Sequence, residues 1–181
     1  MTREQLEHAI RAACDVSEDT ELWVFGSQAI LGEYPKAPEG LRASIEVDMQ
    51  PKNRPEAVEE IDGALGELSP FHTAFGFYVH GVPIEAATLP SGWEDRTIPV
   101  SDPYWTRGTT GHCLEAHDLA ASKLVAFREK DREFVRILLL EHLIDQETLV
   151  ERIESLLISE ELSERIKTWA RITVEDLEES S

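Results

Sequence analysis

The sequence predicts an α+β fold. It places a small mixed sheet with flanking helices in residues 1–115 and a C-terminal helical bundle in residues 116–181 of the same compact unit. Three observations predict this. Up to about residue 100, short apolar runs of strand length alternate with turn-rich segments and helical patterns. From His117 onward only helical periodicity remains, with an Asp or Ser at or near each start. A chain of 181 residues with 41% hydrophobic composition can bury one good core and is too short for two large domains.

The elements follow in order. Thr2–Cys14 reads as a helix, because Thr2 and Gln5 have capping-box spacing and Leu6, Ala9, Ile10 and Ala13 form an apolar stripe. Glu21–Phe25 is a short strand and Ser27–Leu31 opens a helix. Gly32–Leu41, with two prolines and two glycines, is a loop. Ala43–Met49 is the next strand, and Pro55–Leu68 a helix with Pro in its first turn. Phe75–His80 and Val82–Ala87 read as a hairpin joined at "HGVP", and Arg96–Val100 as an edge strand. Helices are expected at Asp118–Glu129, Asp131–His142, Asp145–Leu157 and Ser159–Ile172, followed by a frayed acidic tail, "TVEDLEESS".

Composition excludes several function classes. No apolar run reaches the roughly 18–20 residues that cross a bilayer. The longest candidate, "FVRILLLEHLI", is interrupted by Arg136, Glu141 and His142, and the N-terminus is an amphipathic helix with acids rather than a secretion signal. A soluble, cytoplasmic protein without a membrane partner is expected. Cys14 and Cys113 lie far apart and read as buried thiols rather than a disulfide or zinc site; His112 and His117 beside Cys113 lack metal-ligand spacing. The net charge of −19 repels phosphate backbones and argues against a broad nucleic-acid face. It suits a basic partner protein, and equally a salt-adapted host.

The candidate chemistry begins at "WVFGSQAIL". A strand that stops at Gly26-Ser27 and feeds a helix presents small residues and free N–H groups, a natural seat for phosphate and also a common turn. In "SIEVDM" the period of two sends Glu46 and Asp48 to one strand face, with Ile45, Val47 and Met49 on the other. Adjacent carboxylates repel, and a divalent cation such as Mg²⁺ relieves them by taking hard oxygen ligands from both. An exposed acidic face on an edge strand is the alternative.

Gly-Ser on a strand-to-helix turn followed by an acid-x-acid strand resembles the nucleotidyltransferase superfamily of DNA polymerase beta type. The resemblance implies a nucleotidyltransferase-like core in which Gly26 and Ser27 hold the phosphates of an NTP and Glu46 and Asp48 hold Mg²⁺ (or Mn²⁺). A third carboxylate on a later strand matches Glu85 in "GVPIEAATL". Glu46 stands where Asp is commoner, and the loop from Gln28 to Ala43 is longer than in compact members. A second stretch, "HDLAASKLVAFREKD", is similar to a block in the bacterial AbiEii and MenT toxin group, which implies active-site roles for Lys123 and Asp131. Lys123, Arg128, Lys130, Arg132 and Arg136 concentrate positive charge in an acidic chain, as a triphosphate site needs and as a solvated helix face also does. Asp131 reads equally as a helix cap.

The expected function is therefore metal-dependent transfer of an NMP from an NTP to an acceptor. The resemblance to the toxin group implies the tRNA 3′ end as that acceptor and an antitoxin protein as partner. Transfer to a small molecule or a protein side chain, and an NTP-binding module without catalysis, stay open beside it. Trp93, Tyr104 and Trp105, near Arg96 and Arg107, fit base stacking or internal packing.

Overall fold

Helix α1 (Arg3–Ser17) starts where the sequence directs it. The Thr2 hydroxyl accepts from the Gln5 N–H and the Gln5 side chain accepts from the Thr2 N–H, closing the capping box. Its stripe of Leu6, Ala9, Ile10 and Ala13 is fully buried. This computed structural model describes residues 1–179. The chain divides into two compact units, Met1–Ala86 with Arg96–Glu115, and Ala87–Asp95 with Ala116–Ser181.

The first unit is built on a five-stranded sheet of β1 (Glu21–Phe25), β2 (Glu46–Pro51), β3 (Tyr78–Gly81), β4 (Ile98–Val100) and β5 (Thr110–Cys113), in the order β3-β2-β1-β5-β4. β1 runs antiparallel to β2 and parallel to β5, β2 parallel to β3, and β4 antiparallel to β5, so the sheet is mixed. Alternation separates its two faces. Leu22 and Val24 align with Gly111 and Cys113, and Val24 with Met49, to make an apolar face. Helix α1 covers it so closely that a Cβ at Gly111 would lie 2.6 Å from Ile10 Cδ1. Short α2 (Ile30–Glu33) packs on β5, and α3 (Val58–Leu65) on β3. The opposite face carries Trp23, His112, Glu46, Asp48 and His80.

One buried carboxylate ties the entrances of β1 and of α3 together. Asp19, 6% exposed, accepts from the backbone N–H groups of Thr20, Glu21, Asn53 and Arg54 and from the Asn53 side-chain amide. Burial works to raise its pKa, but the hydrogen bonds from Asn53 and from the Glu21 and Thr20 backbone outweigh it and hold the carboxyl below its usual value.

Several elements differ from expectation. The strand expected from Phe75 starts only at Tyr78: Ser69 caps helix α4 (Pro70–Phe75) by accepting from the His72 N–H, and Gly76 ends it in the left-handed region. The expected Val82–Ala87 strand and its hairpin do not form. Pro83 cannot donate to a ladder, the Gln50 side chain takes the Ile84 N–H at 2.6 Å, and Ile84–Ala86 closes into a 3-10 turn. The loop expected at Gly32–Leu41 contains the end of α2 and a 3-10 turn at Glu39–Leu41. β5, the parallel neighbour of β1, was not expected.

The second unit consists of α5 (Ala116–Ala126), α6 (Glu129–Leu140), α7 (Gln146–Glu154) and α8 (Glu160–Glu179), with the strap Ala87–Asp95. α5 packs against α6, α7 and α8. Wholly buried Asp118 on α5 meets Arg152 on α7 at 3.2 Å, and Asp145 caps α7 by accepting from the Thr148 N–H. α6 begins before Asp131, so that residue is no cap. The tail expected to fray is helical as far as Glu179, and Ser180 and Ser181 lie outside the described residues. Among the described residues no helix is long and apolar enough to cross a membrane.

Because Asp19 satisfies so many donors, Asp19→Ala is expected to lower unfolding stability by roughly 2–4 kcal/mol in urea titrations at pH 7. Its pKa is held below the ordinary 3.8, so its contribution is present above that pH. Titrations at successive pH should show it lost as pH falls through the lower folded value.

Candidate functional site

The site forms where β1 ends beside the middle of β2. The antiparallel register sets Phe25 opposite Asp48, so the next residue, Gly26, turns the chain directly over that carboxylate. Gly26 has φ +67°, and a Cβ built on it would lie 2.1 Å from Asp48 Oδ2. Both the conformation and the space exclude any side chain. Ser27–Ala29 then makes a 3-10 turn that leads into α2, and buried Gln28 ties this turn to the following loop by donating to the Leu41 carbonyl at 3.3 Å.

Alternation in β2 buries Val47 and Met49 and turns Glu46 and Asp48 together to the other face, as the sequence predicts. Ile45, expected on the apolar face, precedes the strand and is 47% exposed. The parallel register with β3 brings Tyr78 beside Glu46 and His80 beside Asp48. The Tyr78 hydroxyl donates to Glu46 Oε2 at 2.6 Å. His80 Nδ1 stands 3.0 Å from Asp48 Oδ1 and 3.5 Å from Glu46 Oε1. Partial burial, and then the negative charge of Glu46, push the Asp48 carboxyl up to about 6, with His80 acting in the opposite direction. The hydrogen bond to Glu46, and next its own burial, raise the Tyr78 hydroxyl above its ordinary value.

Glu46, Asp48 and His80 offer ligand atoms that all lie within 4.8 Å of one another, a set that no other three His, Cys, Asp or Glu residues match among the described residues. Two carboxylates sharing a face, one of them pushed toward neutrality, have the chemistry of a cation site, because a divalent ion would offset both the burial and the repulsion that raise Asp48. Glu85 is no member of this set. It lies exposed on the Ile84–Ala86 turn, not in the strand expected for it. His80 and Tyr78 were the residues that sequence reasoning missed. The period-two spacing of Tyr78 and His80 in "FYVH" was the available signal, but only the strand pairing shows which residues they face.

Two basic residues of the second unit, Lys123 and Arg128, meet at another carboxylate. Asp131, 1% exposed, receives the Arg128 guanidinium at 2.6 Å and the Lys123 ammonium at 3.6 Å. Lys123 also lies over the Phe134 ring at 4.6 Å, and Arg132 over Phe127 at 5.0 Å. Lys130 and Arg136 are exposed.

The remaining candidates are quickly placed. Cys14 and Cys113 are buried free thiols, pushed up by burial to about 11 and about 12 and so unreactive. His112 pairs with Glu21 at 2.9 Å and His117 with Asp145 at 3.2 Å. Tyr104 and Trp105 are 77% and 51% exposed on a loop whose N–H groups Asp102 accepts, and Trp93 belongs to the second unit.

Two outcomes follow. A carboxyl raised in the folded state favours folding while protonated, so that contribution is lost as pH rises from about 4 to about 6. Metal-free protein should lose on the order of 2 kcal/mol of stability across this window in urea titrations, and Asp48→Asn should flatten the loss. Gly26→Ala should lower the melting temperature and, through displacement of Asp48, abolish any stabilisation by Mg²⁺ or Mn²⁺; unchanged stabilisation would contradict the role given to the close approach.

No curated protein and no solved structure matches the chain. The model of one family, described as nucleotidyltransferases of unknown function (DUF6036), matches residues 4–180 and so takes in the sheet, the Gly26 turn, the acid pair and the helical unit. With nearly its whole length matched, the chain belongs to that family of nucleotidyltransferases.

Proposed function

We propose that the protein transfers an NMP from an NTP to an acceptor hydroxyl, with Glu46 and Asp48 holding the divalent metal and the Gly26-Ser27 turn receiving the triphosphate. The observation that supports this reading is the approach of Gly26 to Asp48, which sets the Gly26-Ser27 turn against the acid pair. Mg²⁺ or Mn²⁺, when bound, would neutralise charge on the triphosphate and acidify the attacking hydroxyl. Ser27 and the N–H groups of its turn bind phosphate oxygens. Lys123 and Asp131 keep the roles that the toxin-group resemblance implies, and within the second unit Asp131 pairs with Lys123 and with Arg128. The acceptor oxygen bonds to the α-phosphorus as the bond to pyrophosphate breaks. The carboxylate nearest the acceptor takes the hydroxyl proton. Tyr78 fixes the carboxylate of Glu46.

For the acceptor, the resemblance to the AbiEii and MenT toxins favours the tRNA 3′ end, with an antitoxin as partner. The charge of −19 confines any RNA contact to a small footprint, and the same charge favours a small-molecule or protein acceptor as the second reading.

Incubation with labelled NTPs, Mg²⁺ or Mn²⁺, and tRNA, protein or small-molecule acceptors tests both. Label should reach one acceptor class, and Asp48→Asn should reduce the rate by about 100-fold or more. Folded protein that neither transfers label nor binds NTP would sink the proposal, whereas NTP binding without turnover on any acceptor would identify a binding module.

A further inference from the structure

The third residue at the acid pair is an imidazole. β3 lies parallel to β2 with His80 in register with Asp48, so both side chains leave the sheet on one face. Nδ1 of His80 is 3.0 Å from Asp48 Oδ1 and 3.5 Å from Glu46 Oε1. Neighbouring ligands about 2.1 Å from an octahedral ion lie about 3 Å apart, so these separations suit the edges of one coordination shell. The three side chains are 44%, 24% and 39% exposed for His80, Asp48 and Glu46, which leaves the cluster open to an ion and to phosphate oxygens. Tyr78 engages Glu46 through Oε2, and Oε1 is the oxygen nearest His80.

We propose that His80 is the third protein ligand of the metal held by Glu46 and Asp48, and that its imidazole makes the site select Mn²⁺ over Mg²⁺. The inference rests on the reading of Glu46 and Asp48 as a metal pair. Mg²⁺ takes oxygen ligands and is held by charge. A neutral imidazole in place of a third carboxylate leaves two negative charges instead of three, so Mg²⁺ loses attraction without gaining a bond it favours. Transition ions accept imidazole nitrogen readily, and Mn²⁺ among them also suits carboxylate, water and phosphate oxygen. The mixed donor set therefore favours Mn²⁺ over Mg²⁺, which gains nothing from the nitrogen.

Equilibrium binding to the full chain tests this without any assay of transfer. Mn²⁺ titrations followed by the paramagnetic resonance of free Mn²⁺, with Mg²⁺ as competitor, should give at least about tenfold preference for Mn²⁺. Pulsed measurements on the bound ion should show imidazole nitrogen modulation. In His80→Asp, checked for folding by its melting curve, the modulation should vanish and the preference for Mn²⁺ should fall by about threefold or more. Bound Mn²⁺ without nitrogen modulation in the unaltered protein would overturn the assignment even if His80→Asp failed to fold. An unchanged preference in folded His80→Asp would do the same. If both ions bind and Asp48→Asn abolishes binding, the metal pair stands whatever becomes of His80. If neither ion binds, with or without a non-hydrolysable NTP, both the pair and the inference fall.

Discussion

The site depends on one close approach, that of the Gly26 backbone to the Asp48 carboxylate. A methyl group at Gly26 would lie 2.1 Å from Oδ2, well inside van der Waals contact, and the positive φ there is strained for any residue with a side chain. The approach follows from topology: antiparallel pairing of β1 with β2 ends β1 opposite Asp48, so the turn has nowhere to go except over that side chain. Asp19 at the other end of β1 keeps the pairing in register by binding the backbone at Asn53 and Arg54 just beyond β2.

The same strand pairing accounts for how the fold tolerates two adjacent acids. Glu46 and Asp48 leave the face opposite to the helices, so they interrupt no apolar packing, and β3 supplies a partner to each. Tyr78 donates to Glu46, and His80 stands between the two carboxylates. These partners offset the repulsion only in part, since Asp48 is still pushed up to about 6 by burial and by Glu46. In the second unit, buried Asp131 instead has Arg128 and Lys123 as counter-charges. The two carboxylate environments thus differ in kind, one short of positive charge and one supplied with it.

Much of this was legible in the sequence, for identifiable reasons. The limits of β1 and the capping box of α1 were readable because their signals are local: an apolar run ended by Gly-Ser, and Thr2 spaced three residues from Gln5. The shared face of Glu46 and Asp48 followed from alternation alone. β5 escaped because "TGHC" is short and contains a glycine whose value lies in what it lacks, a Cβ that would meet Ile10. The start of β3 was set too early, at Phe75, because aromatic residues suit strands, while the helix capped by Ser69 runs through Phe75 and ends at Gly76. His80 and Glu85 could not be ranked without knowing that β3 pairs with β2 and that Pro83 stops the ladder, both of which are non-local facts.

The central claim is that Glu46 and Asp48, set against the Gly26 turn, form the metal and triphosphate site of a nucleotidyltransferase. The most direct measurement is a crystal structure of the protein with Mn²⁺ and a non-hydrolysable NTP, with the ion located by anomalous scattering. The account predicts an anomalous peak ligated by Asp48 and Glu46, with the triphosphate lying across it toward Gly26-Ser27. An ion and nucleotide bound elsewhere, with both carboxylates left unligated, would contradict it.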